Sequence, residues 1–179
     1  WSRLALESQP GLQGRRSSEK IQVVPSYPMI QRFGVPETGL LAHRTVPALL
    51  APAQLLPGRR KDVEALLAWG RRPSARRVER LGRHWQLPVW HLEDGLLRSL
   101  AKGPKHPPLA LLVDDLGVHF DATQPSRLEH RIPQPLQPEQ QQRACRLQQL
   151  WCELRLSKLN PARESPAPNA PFVLVVDQS

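Results

Sequence analysis

An acidic pair, Glu93 and Asp94, lies between an apolar segment and Gly95 and is followed closely by Arg98 and Ser99. Further along, the apolar residues 111–113 lead into a second acidic pair at positions 114 and 115. Carboxylates that gather where parallel strands end are typical of α/β enzyme sites, because ligands bind outside the carboxyl ends of such strands. Glu93 and Asp94 are therefore candidate catalytic groups. Their spacing also fits a plain turn, since Asp-Gly is a common turn pair.

The two carboxylates of this first pair are not equivalent. Side chains alternate between the two faces of a strand, so Glu93 and Asp94 point in opposite directions if the strand continues through them. One of them would face a crevice, and the other would brace the turn. The second pair, Asp114 and Asp115, has no third ligand in view, and we expect no metal site there.

Arg98 and Ser99 are candidate substrate-binding residues. A guanidinium can hold the carboxylate of an anionic sugar, or a phosphate, through two parallel hydrogen bonds. Arg98 could equally pair with Glu93 or Asp94 as a structural brace. The sequence leaves both roles open.

A second candidate binding group consists of Arg71, Arg72 and Ser74. Ser74 is a favourable N-cap for a helix over residues 75–85, and two arginines before a helix start resemble an anion site at a helix N-terminus. No dinucleotide-binding fingerprint or P-loop accompanies them, so no particular nucleotide follows. For the arginines within the helix, a solvated basic face is the plainer alternative.

The elements that must position these residues alternate between strand and helix. Strands are predicted over residues 63–70, 89–92, 109–113, 118–120 and 172–179, and a helix is expected from Pro138 to about residue 157. The inward stripe of that helix would consist of Ala144, Leu147, Leu150, Trp151 and Leu154. This order predicts an α/β fold, with a Rossmann-like, mostly parallel sheet and flanking helices.

The composition and net charge of the chain indicate which kinds of partner it can bind. The 179 residues carry a net charge of +9, and the excess of Lys and Arg lies within the first 110 residues. Such a surface attracts phosphates, carboxylates, nucleic acid or an anionic membrane. No apolar run is long enough to span a membrane, and no signal peptide is visible. Residues 1–37 lack periodicity and are expected to form a poorly ordered extension, and the apolar end of the chain suggests a fragment of a longer protein.

Taken together, the segments resemble the retaining β-Kdo glycosyltransferases of the capsule polysaccharide biosynthesis protein family. The resemblance covers about residues 39–179, and its parts match in order and spacing. They are AWGRRPS (68–74), LEDGLLRS (92–99), PLALLVDDLG (108–117), DA (121–122), PSRLE (125–129), LSKLN (156–160) and VLVVDQS (173–179).

The resemblance implies that residues 38–179 form the N-terminal, Rossmann-like half of a GT-B-like transferase module that is truncated here. It implies transfer of Kdo from CMP-Kdo to a lysophospholipid-linked Kdo acceptor, with retention and without a metal or other cofactor. Glu93 and then Asp94 would be the catalytic residues, and Arg71, Arg72, Ser74, Arg98 and Ser99 would bind substrate. The covalent nucleophile and most nucleotide contacts would lie beyond this chain, so the fragment alone should be inactive.

The implied location is the cytoplasm, peripheral to an anionic inner-membrane surface and beside other capsule-assembly proteins. The alternative is a basic nucleic-acid-binding module, which the arginines between residues 71 and 83 suggest. That function needs a groove-reading element or stacking aromatic residues beside the charge. Only 5% of the residues are aromatic, and no nucleic-acid-binding signature is visible, so we expect no nucleic-acid partner.

Overall fold

The computed structural model describes residues 30–58, 61–103, 105–161, 166 and 169–173. The strands are β1 (Arg32–Val35), β2 (Gln54–Pro57), β3 (Ala65–Trp69), β4 (Val89–Asp94) and β5 (Leu111–Asp114). The helices are α1 (Val46–Leu50), α2 (Pro73–Trp85), α3 (Arg127–Arg131) and α4 (Pro138–Glu153), with a short 3₁₀ helix at Thr38–Ala42.

One five-stranded sheet organises the described residues, in the order β2-β1-β3-β4-β5. Strands β1 to β4 pair in parallel, and β5 runs antiparallel to β4. The predicted fold class, an α/β fold with a mostly parallel sheet and flanking helices, is confirmed. The direction of β5 matters for the site, because it places Asp114 opposite His91 and Leu111 opposite Asp94.

The core lies on both faces of β3. Residues 65–68 are all fully buried, which explains the unbroken apolar run that predicted this strand. Ala65 and Leu67 pack with Val35, Val46 and other residues on the face that carries α1. Leu66 and Ala68 pack with Ala75 and Val78 of α2 on the opposite face.

Helix α2 forms because Pro73 starts it and a buried stripe of Ala75, Val78 and Gly82 recurs at helical spacing. It ends at Gln86, which adopts a left-handed conformation with φ of 56°. The predicted N-cap is wrong. Arg72 is the N-cap residue, without a side-chain cap, because Pro73 begins the helix one residue ahead of Ser74.

The predicted extension over residues 1–37 is wrong in its last part. Residues 32–35 form β1, a strand inside the sheet, with Phe33 and Val35 buried. Residues 1–29 lie outside the described residues. The sequence analysis also missed β2, because the prolines around it obscure any strand pattern.

Residues 118–120, which the sequence predicts as a strand, form a turn. The reason is local: Asp121 N donates to Val118 O at 2.8 Å and closes the chain on itself. Gly117 also packs tightly, since a Cβ there would lie 2.5 Å from Pro125 O.

Helix α4 exists as predicted but ends at Glu153, and its apolar stripe is not buried. Leu147 is 51% exposed and Leu154 is 63% exposed, and no residue of the helix is buried among the described parts of the chain. The predicted final strand falls mostly on residues 174–179, outside the described residues. Within those described, no helix combines the length and apolar character that crossing a bilayer requires.

Candidate functional site

Glu93 lies at the carboxyl-terminal edge of the parallel strands. Strands β1, β3 and β4 end there at Val35, Trp69 and Asp94, and this is the edge at which α/β folds bind ligands. Because β4 continues through Asp94, the alternation of the strand directs the Glu93 and Asp94 side chains to opposite faces. The expectation that both acidic pairs follow parallel strands is wrong, although Glu93 and Asp114 line one small cavity. Antiparallel β5 ends toward the start of β4, opposite His91.

The carboxylate of Glu93 packs against the turn between β3 and α2. Gly70 occupies this turn with φ of +54°, and a Cβ on it would lie 2.7 Å from Glu93 Oε2. Glu93 Oε1 accepts a hydrogen bond from its neighbour's backbone, Asp94 N, at 3.1 Å. The turn therefore needs glycine both for its backbone conformation and for the space that Glu93 occupies.

Two hollows meet near Glu93. A small cavity of about 80 Å³ is lined by Glu93 with His91, Asp114, His119 and Arg131, among others. A wider, open hollow of about 460 Å³ shares His91 and is lined by the basic residues Arg71 and Arg83 and by the carboxylate of Glu79. Glu93 lines only the smaller cavity, and the wider hollow extends from His91 along α2 toward Val89 at the start of β4.

His91 is buried and connects the strand to the turn. Its Nδ1 lies 3.0 Å from Gly70 O; a carbonyl only accepts, so Nδ1 carries the proton in this contact. Its Nε2 lies 3.8 Å from Glu79 Oε1 on α2. Sequence analysis missed both residues, because a histidine inside an apolar strand and a glutamate on a basic helix carry no distinctive spacing.

Arg71 joins this network from the turn. Its Nη1 donates to Glu79 Oε1 at 3.0 Å, and its Nε lies 2.8 Å from Asp121 Oδ2. The pKa of Asp121 is lowered, chiefly by hydrogen bonds from the Thr123 side chain and backbone and further by the charge of Arg71. Asp121 therefore braces the turn at Thr123 and holds Arg71; the nearby helix α3 is capped by Ser126.

The predicted binding group of Arg71, Arg72 and Ser74 does lie beside Gly70, at the same edge as Glu93. Arg72 is exposed and Ser74 is half-buried, and Ser74 makes no side-chain cap. Arg71 is held by two carboxylates, so a ligand anion would have to compete with them. A substrate-binding role for the three residues stays a prediction.

Arg98 braces the loop after β4. Its Nε lies 2.9 Å from Asp94 Oδ1, as an ion pair outside hydrogen-bond geometry. Its Nη1 donates to Ser99 Oγ at 2.7 Å, to His106 O at 3.0 Å and to Ala101 O at 3.3 Å. The geometry thus shows the bracing alternative for Arg98.

Ser99 lies inside the same loop. It is buried, and its hydroxyl donates to Ala101 O at 2.8 Å. Its contact with a sugar stays a prediction that would require the loop to open.

Asp114 and Asp115 hold the chain that follows β5. Asp114 accepts backbone N–H groups from Leu116, Gly117 and Arg127 at 2.7 to 3.0 Å. Asp115 receives two hydrogen bonds from the Arg127 guanidinium at 2.8 and 2.7 Å. The side-chain hydrogen bond from Arg127 is the main cause that lowers the pKa of Asp115. Among the described residues, no three metal-ligating side chains cluster.

Comparisons with known proteins bear directly on this fold and edge. Residues 64–178 match the family described as capsule polysaccharide biosynthesis protein. The chain belongs to this family. The prediction from the sequence is therefore confirmed at the level of the family.

Individual relatives agree with this assignment. The capsule polysaccharide modification protein LipA of Neisseria meningitidis serogroup B is 36% identical over 129 residues, which cover 66% of this chain and 18% of LipA. The lipopolysaccharide-processing protein LpsZ of Rhizobium meliloti is 34% identical over 124 residues, covering 64% of this chain and 28% of LpsZ.

A solved structure is also similar. It is KpsC of Thermosulfurimonas dismutans, a beta Kdo 2,4 transferase, at 32% sequence identity and a TM-score of 0.69. The alignment covers 80% of this chain and 45% of the solved one. The chain thus spans less than half of the solved relative and less than a fifth of LipA.

Proposed function

We propose that the chain is the acceptor-side part of a glycosyltransferase that moves Kdo from CMP-Kdo to a lysophospholipid-linked Kdo acceptor, with retention at the anomeric carbon. The observation that carries this proposal is the similarity to the solved Kdo transferase, with 32% identity over 80% of the chain. The region that matches the family, residues 64–178, also includes Glu93.

In this proposal, Glu93 acts as a catalytic acid, base or orienting group. Its carboxylate lies at the carboxyl-terminal edge of the sheet and lines a cavity with His91 and His119. Asp94, on the other face of the strand, forms an ion pair with Arg98. A carboxylate nucleophile in the remainder of a longer protein would take the sugar, and two inversions would give net retention. The His91–Glu79–Arg71 network would fix the Gly70 turn under Glu93.

The proposed reaction needs no cofactor and no metal. The leaving group is a nucleoside monophosphate, so no divalent cation is required to neutralise a diphosphate. The exposed arginines and lysines near the edge would instead balance the negative charge of donor and acceptor.

The proposed acceptor also implies where the protein works. An acceptor built on a lysophospholipid lies at a membrane, and a sugar nucleotide donor is used in the cytoplasm. The protein would then act peripherally at the anionic inner-membrane surface, together with other proteins of capsule assembly.

The test is a transfer assay on the protein together with whatever natural sequence follows residue 179. We expect CMP release from CMP-Kdo that depends on a Kdo-bearing lipid acceptor, and incorporation of Kdo into that lipid. UDP-glucose, whose sugar has no carboxylate, is the control donor, and no release of UDP from it is expected. No acceptor-dependent CMP release would count against the transferase.

A further inference from the structure

The loop between β4 and β5 has an unusual composition for an exposed segment. Residues 95–110 contain Arg98, Lys102, Lys105 and His106 but no aspartate or glutamate. Three leucines of this loop, Leu96, Leu100 and Leu109, are 63%, 64% and 63% exposed. Single exposed apolar residues are normal on soluble proteins, but three that share one loop require an explanation.

The leucines are held in place by hydrogen bonds within the loop. Leu109 N donates to Arg98 O at 2.7 Å, and Gly95 N donates to Ala110 O at 3.0 Å. The Arg98 side chain ties the loop to Asp94 and to two of its own carbonyls. The exposed leucines therefore belong to a loop whose conformation is held by hydrogen bonds and by the Asp94–Arg98 ion pair.

A second segment adds to this surface. Arg98 N donates to Lys158 O at 2.9 Å, and Asn160 N donates to Leu100 O at 2.8 Å, so residues 158–160 lie beside the loop. Lys158 is exposed, as are Lys102 and Lys105, and no ion pair joins any of the three to a described carboxylate. We name this the Leu–Lys surface, formed by Leu96, Leu100, Leu109, Lys102, Lys105 and Lys158.

The chemistry of the Leu–Lys surface discriminates among partners. Protein–protein interfaces are depleted of lysine and enriched in aromatic residues, and this surface has three lysines and no aromatic side chain. Single-stranded nucleic acid needs aromatic side chains for stacking, which this surface lacks. A bilayer with anionic headgroups accepts both components, because leucine enters the acyl boundary while lysine contacts the headgroups.

We propose that the Leu–Lys surface docks the protein on an anionic lipid bilayer. The loop follows directly after Glu93 and Asp94, at the carboxyl-terminal edge of β4. Docking there would bring that edge toward the membrane. Arg98 and Ser99 would then stabilise the conformation of the docking loop. The inference deepens the proposed function and rests on it for the lipid-linked acceptor. It places membrane contact on this loop, and the arginine-rich face of α2 is left to solvent.

Vesicle co-sedimentation of the 179-residue chain tests the proposal without any sugar nucleotide, so its outcome is separable from transferase activity. The vesicles contain phosphatidylcholine with or without phosphatidylglycerol. Binding is expected only with phosphatidylglycerol and should weaken as salt rises. Absence of binding to the anionic vesicles would overturn the docking proposal and leave the transferase proposal standing.

Two triple variants locate the contact. Changing Lys102, Lys105 and Lys158 to Gln should weaken binding roughly fivefold per lysine. Changing Leu96, Leu100 and Leu109 to Ser should weaken it about tenfold or more. Because all six side chains are exposed, both variants should keep the urea midpoint of the wild type, which is the check on folding.

Matched controls come from two other exposed faces. In α4 and at its C-cap, Leu147, Leu150 and Leu154 are changed to Ser, and in α2, the exposed residues Arg76, Arg77 and Arg80 are changed to Gln. Both controls should bind anionic vesicles within about twofold of wild type. Loss of binding in the α2 control with normal binding in the lysine variant would assign the contact to α2 and overturn the proposal.

Discussion

Gly70 allows the turn after β3 to lie against Glu93 because it has no Cβ. Its φ of +54° is the left-handed conformation that glycine adopts without steric cost, and a Cβ would come within 2.7 Å of the Glu93 carboxylate. At the scale of single residues, the candidate site thus depends on a glycine as much as on its carboxylate.

Gly70→Ala should lower the free energy of unfolding by about 2 kcal/mol, from backbone strain together with displacement of Glu93. Urea unfolding measures the loss. In a Glu93→Ala background the same change should cost only the strain, about 1 kcal/mol. Gly39→Ala, where a Cβ meets nothing within 4 Å, is the neutral control. Equal costs of Gly70→Ala in both backgrounds would show that the two residues are not coupled.

The Asp115–Arg127 pair predicts a pH dependence of stability. The pKa of Asp115 is lowered below its usual 3.8, mainly by the hydrogen bond from Arg127. A depressed carboxyl pKa contributes stability above the unfolded-state value, and that stability is lost as pH falls through the folded-state value. The pair is partly exposed, with side-chain exposures of 33% and 16%, so solvent screening keeps its contribution modest.

Asp115→Asn should therefore destabilise the protein by about 1 kcal/mol at neutral pH. The difference from wild type should shrink as the pH falls below about 4, where the unfolded carboxyl becomes protonated, and it should disappear below the lowered pKa of the folded carboxyl. Urea midpoints of both proteins across this range check the prediction. A difference that stays constant to the lowest pH would rule out the ion pair as its origin.

At the scale of elements, α2 and α4 are both regular helices but contribute differently to the core. Val78 of α2 is 1% exposed against the sheet, whereas α4 has no buried residue within the described structure. Both helices show an apolar stripe in the sequence. The stripe predicts a helix in each case, but only tertiary packing decides which stripe is covered.

Val78→Ala should lower the free energy of unfolding by about 2 kcal/mol, since it removes buried methyl groups from a packed interface. Leu147→Ala, on the exposed stripe of α4, should change it by less than about 0.5 kcal/mol. Urea unfolding of the two variants makes the comparison. A loss from Leu147→Ala as large as that from Val78→Ala would mean that α4 is packed in solution.

Strands with a continuous apolar run could be predicted from the sequence. Strands whose burial depends on residues far along the chain could not. Residues 65–68 are buried on both faces, and so β3 was predictable. β1 is only four residues long and is followed by Pro36, and its burial arises from neighbours far along the chain. The apolar run of β5 fits either direction. In the structure the loop closes with Gly95 against Ala110, and β5 runs antiparallel to β4.

Contacts between residues that are distant in the sequence also limit how much of the candidate site can be predicted. The position of Glu93 at the end of a strand followed from the local pattern, and the structure places it at the carboxyl-terminal edge of the parallel strands. His91, Glu79 and Arg71 come together from a strand, a helix and a turn, so no sequence spacing links them. The sequence left two roles open for Arg98, and its ion pair with Asp94 shows the brace.

At the scale of the whole molecule, fold and family agree. Strands β3, β4 and β5 of the mostly parallel sheet overlap three of the segments on which the family resemblance rests, and residues 64–178 match the family itself. The central claim is that the carboxyl-terminal edge, with Glu93, is part of a Kdo-transfer site.

The rate of acceptor-dependent CMP release tests that claim most directly. It is measured for wild type, Glu93→Gln and Glu139→Gln, each together with any natural sequence that follows residue 179. Glu139 is exposed on α4 and serves as the matched control. We predict that Glu93→Gln lowers kcat about 100-fold or more with an unchanged urea midpoint, while Glu139→Gln equals wild type. Full activity of Glu93→Gln would contradict a catalytic role for this carboxylate.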